Sequence, residues 1–380
     1  MFKFSRSHQN SLHQCPRLAF LRYYAGANGK GWDTKRINVA QSTGSLLHSI
    51  ITSLALQVKE TDSIPLNGDV DRAVQAAIAT YRAEAMQRGF DIEQQGDMEF
   101  ELQRQSMLAE GMARGWLLVR LPKLLEKYKV VAVEEEWEIP LSDAVVCLVR
   151  IDMVLEERET GELWALEMKT TGWMDDSWLE KWRYDSQTLM HAWAIEKRFP
   201  DKVVGGVIVE AFYKGTKRKG DDGRDTYYSP YLRAYKSSGV GPFSEDQWSY
   251  DSSMSRKKGW EVADALAFND EARWVAQMPP EIIQGQLYEI EVFRNPKEQD
   301  IWERQTLLEQ GGVADALQQL SLGNEVYMDG TFAARMNADC YSNKYRKRCS
   351  FLQVCFSGID PAESDEFMER IPHHTGEFDE

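Results

Sequence analysis

Apolar residues follow two rhythms along the chain, and the change between them marks its organisation. In the first third the period is helical. Leu47, Ile50, Ile51, Leu54 and Val58 recur three and four apart, which predicts a helix from Gly44 to about Val58. A polar linker, Glu60 to Gly68, separates it from helices predicted over about Val70 to Arg88 and about Met98 to Lys127, with a candidate kink at Pro122. Nearer the start, Pro16 suits the first position of a short helix, and a Gly-rich loop from Gly26 to Gly31 follows it.

The rhythm shortens at Lys129. Val130–Val133, Ala144–Leu155 and Leu163–Met168 read as three successive strands of an antiparallel meander, the last two joined by a polar turn from Glu156 to Glu162. Beyond a polar loop, Thr170 to Ser177, a helix is predicted from about Trp178 to Phe199 and a strand from Val203 to Tyr213. Gln286–Arg294 reads as that strand's partner. The segment 214–284 between them then becomes an insertion, with a helical piece near Trp260 to Ala276. A long helix is predicted from about Pro296 to Leu320, interrupted at Gly311-Gly312, before a cysteine-bearing end, 337–358, and an acidic tail, 359–380. The expected fold is α/β, a central mixed β-sheet flanked by helices. It forms one elaborated domain over 1–380, with a helical part at 1–128 and a core at 129–213.

Composition narrows the class. The 380 residues are 43% hydrophobic, enough for one large core. No run approaches the roughly 20 apolar residues of a membrane span, and the polar first ten residues do not resemble a signal peptide, so the expected setting is cytoplasmic. A net charge of −15 argues by itself against nucleic acid, because phosphates need Lys and Arg. The sum hides two basic clusters, however: Lys214, Lys217, Arg218, Lys219 and Arg224, and Lys344, Arg346, Lys347 and Arg348. Each reads equally well as a solvated loop. The five cysteines are an odd count that does not suit a disulfide framework. Cys147 lies in an apolar strand and reads as a core residue. The other four lie toward the chain ends.

Candidate chemistry centres on the meander. Asp152 interrupts an apolar strand, where an unpaired acid would be costly. Glu167 and Lys169 are two apart on a strand and therefore share a face. Two carboxylates and the Met168 carbonyl are hard oxygen ligands suited to Mg²⁺ or Mn²⁺, and Lys169 is placed to orient a water or stabilise developing charge. Alone, Glu-x-Lys arises roughly once by chance in a chain this long, and an exposed Glu–Lys pair explains it equally well. His48 flanks the apolar face of its helix, as a structural histidine or a ligand. Gln187 and His191 lie four apart on one helical face. Trp173, Trp178 and Trp182 read as core residues or as surfaces for unpaired bases.

The order Gly44-x3-His48, Glu134, Asp152, Glu167-x-Lys169, Gln187 resembles the PD-(D/E)xK nuclease superfamily. In particular it resembles the RecB-like branch, with its iron–sulfur nucleases of CRISPR adaptation, AddB-type recombination proteins and phage exonucleases. The resemblance implies a restriction-endonuclease-like core and a Mg²⁺- or Mn²⁺-dependent deoxyribonuclease. His48, Asp152 and Glu167 would hold the metal and Lys169 would be the catalytic lysine. Gln187 would touch DNA or position the site. Glu134 is the candidate for the family's upstream acid, and His191 stands where the family has Tyr. One cysteine near the N-terminus and three near the C-terminus resemble the family's [4Fe–4S] set, which implies Cys15, Cys340, Cys349 and Cys355 as ligands and chain ends stapled by the cluster. Cys349-x5-Cys355 matches the family's last pair. Cys340 and Cys349 are separated by eight residues, a wider gap than the family's usual spacing. A Cys₄ zinc (Zn²⁺) site and free thiols are the alternatives. The implied activity is exonucleolytic, on DNA ends or single-stranded DNA, in phage or prophage recombination or in DNA repair. No Gly-x4-Gly-Lys-Ser/Thr helicase loop is present, so a helicase or single-strand-annealing protein is the implied partner. The rival readings are an endonuclease, a CRISPR-adaptation trimming nuclease, and a non-catalytic iron–sulfur DNA-binding module.

Overall fold

The computed structural model describes residues 1–26, 28–37, 39, 42–214, 216–219, 225–228, 284–335, 340 and 348–377. Most of the 214–284 insertion, including the helix expected near Trp260 to Ala276, lies outside the described residues. So do the side chains of both basic clusters apart from Lys214 and Arg348.

The chain begins with a short strand, β1 (Phe2–Ser5), and two helices, α1 (Arg6–Gln14) and α2 (Pro16–Tyr23). Strand β2 (Trp32–Thr34) leads to three long helices, α3 (Thr43–Thr61), α4 (Asn67–Gln87) and α5 (Gly96–Val119), and then α6 (Leu121–Lys127). The predicted Met98–Lys127 helix thus divides at Arg120. Pro122 opens the second piece, where its missing N–H costs nothing. The predicted Leu47, Ile50, Ile51, Leu54 and Val58 stripe is buried, each residue at most 2% exposed. It packs with α4, α5 and one face of the sheet in the larger hydrophobic cluster.

That sheet has five strands. They are β3 (Tyr128–Val133), β6 (Met153–Glu157), β7 (Leu163–Thr171), β8 (Val204–Tyr213) and β11 (Leu287–Val292), once β4 (Glu136–Pro140), β5 (Val145–Arg150), β9 (Thr216–Lys219) and β10 (Asp225–Tyr228) are numbered in chain order. Its spatial order is β11-β8-β7-β6-β3. The β7–β8 pair is parallel and the others antiparallel, so the sheet is mixed. Central β7 is apolar on both faces from Leu163 to Met168 apart from Glu167: Trp164, Leu166 and Met168 join the α3–α5 core, while Leu163 and Ala165 join the core beneath the next helix. On that second face lie α7 (Asp176–Glu180), a 3₁₀ turn (Lys181–Arg183) and α8 (Ser186–Arg198).

Four expectations need correction. The apolar run Ala144–Leu155 is two strands in two sheets. β5 pairs with β4 and β1, β6 joins the main sheet, and the chain breaks at Ile151-Asp152. The Glu134 N–H reaches both the Ile151 and the Asp152 carbonyls (3.1 and 3.2 Å), taking acceptors that a continuous ladder would use. The helix expected over 178–199 also breaks. Asp185 accepts the Gln187 N–H (2.8 Å) as an N-cap, and α8 starts there. By contrast α9 (Pro296–Ser321) runs unbroken through Gly311-Gly312. Trp302, Thr306, Gln310, Val313 and Ala316 are buried along it, and that packing outweighs a propensity cost of about 1 kcal/mol per glycine. Finally, the acidic C-terminal segment is docked. After α10 (Val326–Gly330) and α11 (Leu352–Ser357), β12 (Phe367–Glu369) pairs with β2. Phe367 is buried, and Arg370 pairs with Glu377 inside the protein. No helix among the described residues is long and apolar enough to cross a membrane.

Candidate metal centre

The site forms where α3, the β3–β4 corner, the β5–β6 break and β7 converge. Helix α3 lies close against the end of β7. A Cβ at Gly44 would sit 3.0 Å from Thr170 Oγ1, so the glycine permits this approach. One turn further on, that proximity carries His48 to the sheet, where Nε2 lies 2.9 Å from Asp152 Oδ2 and Nδ1 lies 3.2 Å from Glu134 Oε1. Asp152 also accepts the Met168 N–H (2.6 Å), which ties the β5–β6 break to β7.

Of the three adjacent acids, Glu134 is the one turned inward. Its φ of +50° is left-handed, a conformation that costs an L-residue about 1–2 kcal/mol. The same corner lets its N–H hold the β5–β6 break. Glu135 instead pairs with Lys59 (2.7 Å), and Glu136 holds His374 and Thr375 of the C-terminal segment. Arg150 Nε meets Glu134 Oε2 at 3.0 Å. Arg150 carries no linear signal of this pairing, because nothing in a sequence pattern joins it to an acid sixteen residues upstream.

Glu167 and Lys169 share the α8 face of β7, as strand alternation requires. Glu167 Oε1 accepts from Lys169 and from Gln187 Nε2 (2.8 Å). Its Oε2 lies 3.4 Å from His191 Nδ1, and both atoms are buried without a hydrogen bond. Gln187 and His191 therefore do lie on one face of α8, both turned toward Glu167. The described contact of Met168 with the site is through its N–H, while its side chain belongs to the core.

The charges are strongly coupled. Burial pushes the Asp152 carboxyl up and Glu167 reinforces this, with His48 opposing. Burial also disfavours charge on Glu167, but Lys169 and His191 outweigh it and hold that carboxyl below its usual range. Burial pulls the His48 ring down, yet Asp152 and Glu134 push it up to about 10. Lys169 is likewise raised: Glu167 and Asp152 outweigh its burial. Burial lowers His191, with Glu167 opposing.

Among the described residues, His48, Glu134 and Asp152 form a group whose ligand atoms lie within 4.8 Å of one another. Two carboxylates and an imidazole are a fitting donor set for a hard divalent cation. Glu134 Oε1, although 3.2 Å from His48, has no aligned hydrogen bond, and a buried acceptor in that state is unsatisfied unless a cation or water meets it. The residues therefore fit a metal. Binding one through His48 requires the ring to release its proton.

The chain ends also meet. Cys15, between α1 and α2, lines one pocket with Cys340, Cys349 and Cys355, beside Leu18 and Phe351. None of the four is in a disulfide, and the Cys349 N–H donates to the Cys340 carbonyl (2.8 Å). Burial, then Cys349 and Cys15, push the Cys355 thiol up to about 11. The four sulfurs are not drawn to the ligand spacing seen around His48. Cys147 lies apart in the β5 core, fully buried.

The family model of the PD-(D/E)XK nuclease superfamily matches residues 3–356. No curated protein matches the chain.

Proposed function

The chain belongs to the PD-(D/E)XK nuclease superfamily, and is thus of a metal-dependent nuclease family; from that premise we propose a DNA exonuclease of the RecB-like branch, acting on DNA ends or single strands. The observation that carries the reading is the group of His48, Glu134 and Asp152 from three separate parts of the chain, tied through the Met168 N–H to the strand that bears the paired Glu167 and Lys169. A binding module has no need of such a constellation.

His48, Glu134 and Asp152 would hold the cation, with Glu167 and the Met168 carbonyl completing its shell. The chemistry it supplies when bound is charge stabilisation at a phosphate oxygen and activation of water. Lys169 carries its proton at Nζ, held there by Glu167 and Asp152, and donates toward charge that develops in the phosphate. Gln187 fixes Glu167 Oε1 from α8, so that the carboxylate does not swing as Lys169 turns to substrate. Mg²⁺ and Mn²⁺ are the expected ions, given the oxygen-rich set.

The cysteine pocket supports a second element of the proposal, a [4Fe–4S] cluster on Cys15, Cys340, Cys349 and Cys355. Four thiols without a disulfide line one pocket where the chain ends meet, and four thiolates are the right ligand set. Its role would be mechanical, stapling α2 to the C-terminal segment. The biological setting proposed is phage or prophage recombination or DNA repair, with a helicase or annealing protein as partner.

The test is cleavage of 5′- and 3′-labelled linear DNA and of circular DNA with Mg²⁺ or Mn²⁺. Wild type should degrade linear DNA and spare circles. Lys169→Ala should lose about 10²–10³-fold in kcat, as for other electrostatic donors. No cleavage by wild type, or full activity in Lys169→Ala, would sink the reading. Cutting of circles would move it to an endonuclease.

A further inference from the structure

Between Lys169 and Gln187 the chain carries an unusual concentration of aromatic rings, and two of them are bare. Trp173 is 64% exposed and Tyr184 is 78% exposed. Trp is highly buried on average, and this pair brackets the link between Lys169 and Gln187, both of which contact Glu167.

The link is anchored at both ends and in the middle. Thr171 Oγ1 accepts the Trp173 N–H (3.1 Å) and donates back to the Trp173 carbonyl, fixing the backbone beneath the exposed indole. Tyr184 immediately precedes Asp185, which caps α8 and pairs with Arg6 (3.1 Å). Between them Trp182 is buried. Its ring lies 5.4 Å from Lys169 Nζ and meets Trp178 edge-on at 5.6 Å. Lys181 Nζ sits 4.6 Å from both rings. The packed inner pair thus registers the exposed outer pair against the catalytic lysine. Trp173 is four residues from Lys169 and Tyr184 three from Gln187, so each lies within about 10–14 Å of the site at most. That is the reach of the first few nucleotides beside a scissile bond.

Charge indicates which part of a strand the surface meets. The segment carries Asp175, Asp176 and Glu180 against Lys181 and Arg183. A near-balanced, slightly acidic surface is poor at collecting phosphates. What it offers is ring faces, and these suit the flat face of any base without regard to sequence. In a duplex those faces are already stacked on each other.

We propose that residues 172–184 form a base-stacking platform, with Trp173 and Tyr184 as its exposed rings, that selects an unpaired DNA strand at the metal centre. The proposal rests on the nuclease reading for its placement, but its test does not depend on cleavage. Binding is measured in Ca²⁺, without turnover, using a fluorescein-labelled oligothymidine and a blunt duplex of equal length.

Wild type should bind the single strand more tightly. Trp173→Ala and Tyr184→Ala should each weaken that binding by roughly 5–150-fold, the range for loss of one stacked base. Trp173→Phe should restore most of it, and duplex binding should change little. An oligonucleotide with abasic positions at its 3′ or 5′ end should bind wild type as weakly as the intact strand binds the alanine variants. Equal binding of single strand by wild type and both alanine variants would overturn the platform, even if the protein cleaves DNA. So would equal losses on single strand and duplex, which would mark a merely structural role. Platform-dependent binding by a protein that never cleaves would leave this inference standing and remove the nuclease reading.

Discussion

Asp152→Asn separates the metal's demands from those of the fold. The substitution keeps the shape of the side chain, and its amide oxygen can still accept the Met168 N–H that Asp152 takes at 2.6 Å. That same oxygen, at the place of Oδ2, lies 2.9 Å from His48 Nε2 and can still accept from the ring, while the amide nitrogen takes the place of Oδ1. What disappears is the charge. In a centre with Glu134 and Glu167 close by, that loss relieves repulsion, and burial already disfavours the Asp152 charge. Stability without metal should therefore stay within a few degrees of wild type. Metal-linked stability should not. At a free Mg²⁺ concentration of about 100 Kd, binding adds about 2.7 kcal/mol to the folded state. For 380 residues the unfolding entropy is about 0.8 kcal/mol/K, so the midpoint should rise by about 3–4 °C. A ~100-fold loss of affinity leaves only about 0.4 kcal/mol, or about 0.5 °C, at the same Mg²⁺ concentration. The assay is thermal unfolding in EDTA and along a Mg²⁺ series. Mg²⁺ is the ion to use because thiolates bind it poorly, which silences the cysteine pocket. An undiminished Mg²⁺ shift in Asp152→Asn would refute the assignment of Asp152 as a ligand.

Two further outcomes are expected. Anaerobically purified wild type should be brown, with absorbance near ~400 nm from a thiolate-bound cluster; Cys349→Ser should bleach it, and a colourless, zinc-containing wild type would overturn the cluster. For pH, His8 is 4% exposed, its Nδ1 accepts the Ser5 N–H (2.8 Å), and it faces Tyr23, Tyr24, Arg370, His373 and His374. Burial, then the Arg370 charge, hold its pKa well below the usual value. The unfolded chain alone takes the proton as pH falls through about 6.5, so stability is full above that pH and declines below it, by up to about 1.4 kcal/mol per pH unit for this group. His8→Asn, whose oxygen can accept the same N–H, should flatten midpoints measured between pH 7.5 and 5.5; an unchanged slope would contradict the argument.

The sequence by itself determined the parts whose cause is local. Periodicity placed α3, α4 and α5, because a helix's buried stripe is written every three or four residues. The apolar runs gave β3, β7 and β8, and alternation put Glu167 and Lys169 on one face. Similarly, Gln187 and His191 four apart could only share a side of α8. Tertiary structure decided whatever depends on distant carbonyls and charges. No Gly or Pro breaks the Ala144–Leu155 run. The break follows from the Glu134 N–H taking two carbonyls across the corner, and the same left-handed corner selects Glu134 from three adjacent acids. Packing kept α9 whole through two glycines, and pairing with β2 turned an acidic tail into a docked segment. His48 was ambiguous on its own helix, since its partners lie 86 and 104 residues away in sequence. Only the close approach allowed at Gly44 brings them within 3.2 Å of its ring. A sequence records which groups are available along one dimension, and a metal centre depends on which of them the fold leaves facing one another.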